Sequence, residues 1–164
     1  MKKFLSIVLS LVMVMSLAAC GGKDDSSAAK EAPDLTKYYE DFVASLGEGN
    51  APMMMDLAAD EAMMEGMYPG LAGYERNQTV LQAAAIGAVA FEFALVECAN
   101  EGDVEAVKGI LQARIDNQIN GGAFYPATVE GWQKAELIVN GNVVALIVAG
   151  EQQADAVAAF NELF

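Results

Sequence analysis

The order of apolar and polar residues along this chain predicts an alternation of helices and strands. Helical spacing begins after Asp34, a favourable N-cap, and stops at Gly47, so a first helix is expected between them. Four later segments have helical spacing or capping residues: a short helix from Asp60 to about Tyr68, a helix capped by Asp103 and ended by Gly121-Gly122, a turn over residues 125–132, and a last helix over residues 152–163.

Two strands are expected within residues 77–99. Residues 79–86 and 90–98 are apolar runs on either side of Gly87. A single buried helix is the alternative, because alanine is abundant there. The glycine, together with aromatic residues at every second position in the later run, favours two strands.

A second hairpin is expected near the C-terminal end. Residues 136–139 and Val143–Ala149 flank Asn140-Gly141. Asn-Gly between two apolar runs is the strongest short-range signal for a hairpin. The second run contains no polar residue, so we expect a central strand that is buried on both faces.

A helix is predicted after each hairpin, and a short sequence echo relates the two units. Residues 93–99, Phe-Ala-Leu-Val-Glu-Cys-Ala, resemble residues 144–150, Val-Ala-Leu-Ile-Val-Ala-Gly. Convergence on a common pattern explains so short a match equally well. The expected fold class is α+β: a four-stranded antiparallel sheet built from two strand-strand-helix units, with helices on one face, plus the N-terminal helix.

The N-terminal segment has the order of a bacterial lipoprotein signal. Residues 17–20, Leu-Ala-Ala-Cys, resemble a lipobox, in which Cys20 is lipidated and the preceding segment is removed. Lys2 and Lys3 supply a positive start, and the apolar run of 16 residues over 4–19 is shorter than the ~20 that span a membrane. An ordinary secretory signal or a short membrane anchor is the alternative.

This signal predicts the organisation and location of the chain. Residues 1–19 are expected to be the signal peptide, residues 20–33 the lipidated cysteine and a flexible tether, and residues 34–164 a single domain. The lipid, palmitate or a similar acyl chain, would anchor the protein to the outer face of the cell membrane, as an extracytoplasmic lipoprotein.

Charge and composition exclude several classes of function. The chain has a formal charge of −14 and no histidine. Repulsion from phosphate excludes nucleic acid as a partner. Triads and zinc sites that need histidine are excluded too. Cys98 lies in an apolar run and is expected to be a buried hydrophobe rather than a reactive thiol. No catalytic residue, metal site or cofactor is predicted.

Two loop-like segments are candidates for a binding surface, one rich in methionine and one aromatic. The candidate residues are Met53, Met54, Met55, Met63, Met64, Met67, Phe124, Tyr125 and Trp132. Packing against the open face of the sheet is the other interpretation of each segment, and it is the one that the sequence favours. A Cu(I) site formed by the thioethers is a less favoured hypothesis, because no histidine or cysteine accompanies them.

A hydrolase that uses carboxylates is the alternative class of function. Glu92, Glu97, Glu130 and Glu136 are the acidic residues in apolar surroundings, where a raised pKa suits acid catalysis. Glu92 and Glu97 are separated by an odd number of positions, so a regular strand places them on opposite faces. No spacing pairs two carboxylates, and an enzyme is therefore less favoured than a binding module.

Several motifs together suggest a family. They are the lipobox, Glu92-Phe93-Ala94-Leu95, the run Gly121-Gly122-Ala123-Phe124-Tyr125-Pro126, Trp132, Asn140-Gly141-Asn142 and Ala159-Phe160-Asn161. The set resembles domain-of-unknown-function family 4358, lipoproteins common in Gram-positive anaerobes, over most of residues 34–164. The resemblance implies an exported, lipid-anchored α+β domain and no assigned activity.

From these patterns we expect a binding or accessory module at the cell surface, with a small-molecule or protein partner. The alternatives are an envelope hydrolase and a structural subunit of an envelope complex.

Overall fold

A five-stranded antiparallel sheet forms the middle layer of the fold in a computed structural model that describes residues 32–164. The strands are β1 Met54–Asp56, β2 Arg76–Ala84, β3 Phe91–Cys98, β4 Glu136–Asn140 and β5 Val143–Ala149, in the order β1-β2-β3-β5-β4. The helices are α1 Leu35–Ser45, α2 Glu61–Met67, α3 Val104–Asn117, α4 Pro126–Trp132 and α5 Gln153–Asn161. Pro33–Phe164 form one compact unit.

Both predicted hairpins are confirmed. Residues 77–99 form β2 and β3 rather than one buried helix, and β5 lies between β3 and β4 with every residue buried. Gly141 turns the second hairpin with a φ of +57°, a conformation that glycine adopts without steric cost. The four strands that were predicted from apolar runs are therefore all present.

The prediction of four strands is wrong, because the structure has a fifth. Met54 and Met55 of β1 pair with Ala84 and Ala83 of β2, within the methionine-rich segment that we expected to be loop-like. A strand of three residues is too short to show a period of two. Its place is set by hydrogen bonds to β2 and not by its own pattern.

The prediction of helices on one face is also wrong, because helices cover both faces of the sheet. α2, α3 and α4 pack against the face that carries Ala94, Val96 and Leu146. α1 and α5 pack against the other face, which carries Phe93 and Ile147. The central strands are apolar on both faces, so each face has to be covered by a helical layer.

The predicted cap at Asp34 is confirmed, Asp60 caps α2 as well, and the predicted side-chain cap at Asp103 is wrong. Asp34 accepts a hydrogen bond from the backbone N–H of Lys37 at 2.8 Å, and Asp60 accepts one from that of Ala62 at 2.9 Å. The Asp103 side chain caps nothing; it accepts a hydrogen bond from the Asn100 side chain instead. A 3₁₀ turn over Glu101–Asp103 precedes α3 and takes the place of a capped start.

Two helical glycines differ in the space around them. A Cβ at Gly131 in α4 would lie 2.5 Å from the Cβ of Ala90, whereas a Cβ at Gly109 in α3 would meet nothing within 4 Å. We expect Gly131→Ala to lower the free energy of unfolding by about 1–3 kcal/mol, because α4 must move away from the sheet. Gly109→Ala should raise it by about 0.5–1 kcal/mol. Urea denaturation of both variants measures the two changes. Equal changes in the free energy of unfolding would contradict this prediction.

The expected signal peptide, Cys20 and most of the tether lie outside the described residues. Within residues 32–164, no helix is long and apolar enough to cross a membrane.

Candidate functional site

A buried ion pair lies between the sheet and α3. Glu92 in β3 accepts hydrogen bonds from Arg114 Nε at 2.8 Å and from Arg114 Nη2 at 2.7 Å. The side chains of Glu92 and Arg114 are only 3% and 10% exposed. The Tyr68 hydroxyl also donates to Glu92. The three residues form a closed polar cluster within an otherwise apolar layer.

The charges in this cluster reinforce one another. Burial and the neighbouring Glu92 carboxylate raise the pKa of Tyr68 well above its usual value, so the hydroxyl stays a donor. Burial alone would lower the pKa of Arg114, but its hydrogen bonds and charge interaction with Glu92 outweigh burial and raise the pKa. The guanidinium carbon lies 5.1 Å from the ring centroid of Trp132, within range of a cation–π interaction. Arg114 is thus held in place and charged.

Two depressions flank Arg114. A cavity of about 260 Å³ is bounded by residues that include Met67, Ala85, Val89, Gln118 and Trp132. A groove of about 410 Å³ runs between α2 and α3. Met67 and Arg114 line both. Nε and Nη2 of the guanidinium each donate to one oxygen of Glu92, and we call this two-bond contact the fork. Nη1 lies outside the fork.

Exposed apolar side chains gather at the end of the sheet where this cavity opens. We call this group the apolar tip: Met53, Ile86, Val89, Phe124 and Tyr125, of which Phe124 is 87% exposed and Met53 71%.

Backbone and side-chain contacts bring the apolar tip together. The backbone N–H of Ala85 donates to the Met53 carbonyl at 2.8 Å, which places Met53 beside the β2–β3 connection. The Thr128 hydroxyl of α4 donates to the carbonyl of Ala88 in that connection. Phe124 and Tyr125 immediately precede α4, and their rings stack edge to face.

The chain enters the domain at the other end of the sheet. Gln78, near the start of β2, donates to the Pro33 carbonyl at 2.8 Å and accepts from the backbone N–H of Leu35 at 3.0 Å. Its amide also donates to Glu97 at 2.7 Å, and Glu97 accepts a further bond from Asn142. We call this the entry end, since these bonds fix where residue 33 joins the sheet.

The six candidate methionines do not form one surface, and that part of the prediction is corrected. Met54 packs towards the α1 layer and Met55 towards the α2–α4 layer, because neighbouring strand residues point to opposite faces. Met64 is buried in the core. Met53 and Met63 are exposed, and Met67 lines the cavity.

The aromatic candidates divide in the same way. Trp132 is 3% exposed and belongs to the core, so its assignment to an exposed binding surface is wrong. It does line the cavity. Phe124 and Tyr125 are exposed. Sequence reasoning missed Tyr68 and Arg114. The signal for Arg114 was available: it is a cation in the last turn of α3, next to the buried Ile115 of the apolar stripe.

The candidate carboxylates are dispersed. Glu92 and Glu97 lie on opposite faces of β3, as expected from their spacing, and Glu130 and Glu136 are exposed. Among residues 32–164, no three histidine, cysteine, aspartate or glutamate side chains converge as metal ligands. Burial raises the pKa of the Cys98 thiol, and Cys98 is fully buried.

The fold and site together define an α/β domain with a central antiparallel sheet and a buried Tyr–Glu–Arg cluster. The chain matches the family described as Domain of unknown function (DUF4358) over residues 49–149, which is more than half of its 164 residues, and it belongs to that family. The matched range contains all five strands and the cluster, whereas α1 and α5 lie outside it. No curated protein and no solved structure matches the chain.

Proposed function

We propose that this chain is a lipid-anchored protein of the outer face of the cell membrane, and that its domain is a binding or accessory module. The observation that supports this proposal is the separation of the entry end from the apolar tip. Gln78 holds Pro33 at the entry end, and Ala85 holds Met53 at the tip. The seven residue steps of nearly extended chain from Gln78 to Ala85 span about 23 Å.

A tether that joins at the entry end leaves the apolar tip accessible to a partner. Single exposed apolar residues are normal on protein surfaces, but a group of them at one place is typical of an interaction site. All five residues of the apolar tip lie around the β2–β3 connection and the start of α4. Their grouping at the end remote from Pro33 is what a surface-anchored binding module requires.

A carboxylate hydrolase is less well supported by the same geometry. Both oxygens of Glu92 accept hydrogen bonds from Arg114, and Glu97 lies on the opposite face of the strand. A glycosidase needs two carboxyl groups about 5–9.5 Å apart around one bond of the substrate. A structural subunit of an envelope complex would use the apolar tip as a binding module does, with a permanent partner.

Replacement of the lipidated cysteine tests the anchoring part of the proposal. We expect the unaltered protein to incorporate labelled palmitate and to sediment with membranes. Cys20→Ala should abolish the label and leave unprocessed precursor, because only the Cys20 thiol can form the thioether to the lipid. The measurement is palmitate incorporation together with cell fractionation.

Cys98→Ala is the matched control, since Cys98 is the only other cysteine of the chain and is buried. This variant should keep the label and the membrane fraction. The anchoring proposal is wrong if Cys20→Ala retains the label, whether or not Cys98→Ala loses it.

A further inference from the structure

We propose that the cavity beneath the apolar tip receives one apolar side chain of a partner protein, and that the main-chain carbonyl beside that side chain accepts a hydrogen bond from Arg114 Nη1. This inference deepens the proposed binding function by naming the occupant. It concerns the domain alone, so it can fail or stand independently of the lipid anchor.

The size of the cavity favours a single side chain. Its volume of about 260 Å³ lies below the range of about 300–1,000 Å³ typical of pockets for small molecules and cofactors. Its wall is mixed: Met55, Met67, Phe91 and Trp132 supply apolar surface, and Glu92, Arg114 and Gln118 supply polar groups. A leucine or phenylalanine side chain can pack against the apolar part of the wall, as an anchor residue does in a protein interface.

The polar groups in the cavity favour a neutral carbonyl as the second contact. Arg114 and Gln118 both line the cavity, and Nη1 of Arg114 takes no part in the hydrogen bonds to Glu92. The fork neutralises the guanidinium locally, so a ligand carboxylate would gain little attraction from it. An amide carbonyl next to the anchor side chain requires only the donor that Arg114 supplies.

The rim of the cavity has the composition of an interface. Val89 belongs to both the apolar tip and the cavity wall, and the other four residues of the tip lie around the same end of the sheet. In protein interfaces, a deep anchor contact is surrounded by weaker contacts that exclude water from it. A free small molecule that fills the cavity would leave the apolar tip exposed, whereas a partner protein would cover both.

The charge of the domain restricts the partner. Residues 32–164 contain five basic and 20 acidic side chains. Three of the basic side chains, Lys37, Lys108 and Arg114, are already paired with acidic residues of the same domain. The field of the domain therefore attracts a basic partner surface and repels an acidic one, including a membrane of anionic lipids.

Trp132 provides a direct readout, because it is the only tryptophan and lines the cavity. The experiment titrates residues 21–164, which include both cores of the compact unit, with three blocked peptides: acetyl-Lys-Leu-Lys-amide, acetyl-Glu-Leu-Glu-amide and acetyl-Lys-Gly-Lys-amide. We expect the first to change Trp132 fluorescence saturably with a dissociation constant of about 1 mM. The acidic peptide should bind about ten-fold more weakly, and the glycine peptide should give no saturable change.

Filling the cavity with a larger side chain at Ala85 tests the site, and the same substitution at Ala88 is the matched control. Ala85 lines the cavity, whereas Ala88 lies in the same connection, is exposed and does not line it. Ala85→Leu should weaken binding of acetyl-Lys-Leu-Lys-amide at least ten-fold. Ala88→Leu should leave it unchanged. Ala85→Met, with a more flexible side chain, serves if Ala85→Leu does not fold, as judged by circular dichroism.

Each outcome decides for or against the proposal. Saturable binding of the leucine peptide that Ala85→Leu abolishes and Ala88→Leu keeps supports it. No saturable change with a folded protein overturns it, as does equal binding of the leucine and glycine peptides. Free leucine is titrated beside the peptides, and tighter binding of free leucine than of the blocked peptide also overturns the proposal, because the cavity would then serve a small molecule. None of these results depends on Cys20.

Discussion

Replacing Arg114 by methionine is expected to lower the free energy of unfolding by about 3–5 kcal/mol, because the variant leaves the Glu92 carboxylate buried without its cation. Glu92 is 3% exposed and receives two hydrogen bonds from Arg114, and a methionine side chain supplies neither of them. Denaturation by urea, monitored by far-ultraviolet circular dichroism, measures the change. A loss below about 1 kcal/mol would show that the ion pair does not hold the fold together.

The other arginine of the chain is the control. Arg76 is half-buried, and its guanidinium donates to the Leu71 carbonyl and to the Thr79 hydroxyl, not to a carboxylate. Arg76→Met removes the same charge and leaves no buried ion behind, so it should cost only about 1 kcal/mol. The contrast between the two variants separates a buried charge from the loss of an ordinary arginine.

Removal of the whole cluster tests the same reasoning in reverse. The triple variant Tyr68→Phe, Glu92→Leu and Arg114→Met has no charge and no unsatisfied hydroxyl in this layer. Buried ion pairs replaced by apolar residues often cost nothing. We expect the triple variant to be more stable than Arg114→Met alone. If it is less stable, the cluster contributes more to folding than its charges explain.

Replacing Phe93 by alanine is the second change with a large expected effect, a loss of about 3–5 kcal/mol. Phe93 is fully buried on the α1 side of the sheet. Its ring centroid lies 5.4 Å from that of Phe42, 5.5 Å from those of Tyr39 and Phe91, and 6.2 Å from that of Tyr38. Alanine would leave a cavity among four aromatic rings that connect β3 to α1.

Phe124→Ala is the matched control for Phe93→Ala, because it removes the same side chain from a position that is 87% exposed. Its effect on the free energy of unfolding should stay within about 0.5 kcal/mol. Equal losses in the two variants would contradict the packing described for Phe93. Phe124→Ala belongs to the apolar tip, so its expected consequence is for partner binding and not for stability.

Much of the fold could be predicted from local pattern. The hairpin about Asn140-Gly141 and the N-cap at Asp34 depend on a few adjacent residues, and the structure has both. The five-stranded sheet could not be predicted in full, because β1 is only three residues long and is held by pairing with β2. Local pattern determines an element when the element is long enough to show its period.

The candidate site was less predictable than the fold. Tyr68, Glu92 and Arg114 come from three elements that are distant in sequence, and only packing brings them together. The aromatic candidates illustrate the same limit. Phe124 and Trp132 were assigned to the same candidate surface, but Phe124 is exposed and Trp132 lies in the core. Exposure depends on what covers a residue, and a local pattern does not record that.

The sequence by itself determined the class of fold, the two hairpins and the separation of Glu92 from Glu97, because each follows from the spacing of neighbouring residues along a strand or turn. It also predicts the lipidated Cys20. Only the tertiary structure decided that helices cover both faces and that Arg114 pairs with Glu92. It likewise placed the apolar tip at the end remote from Pro33. The physical reason is that these features depend on contacts between distant segments, which form when both faces of the sheet are buried.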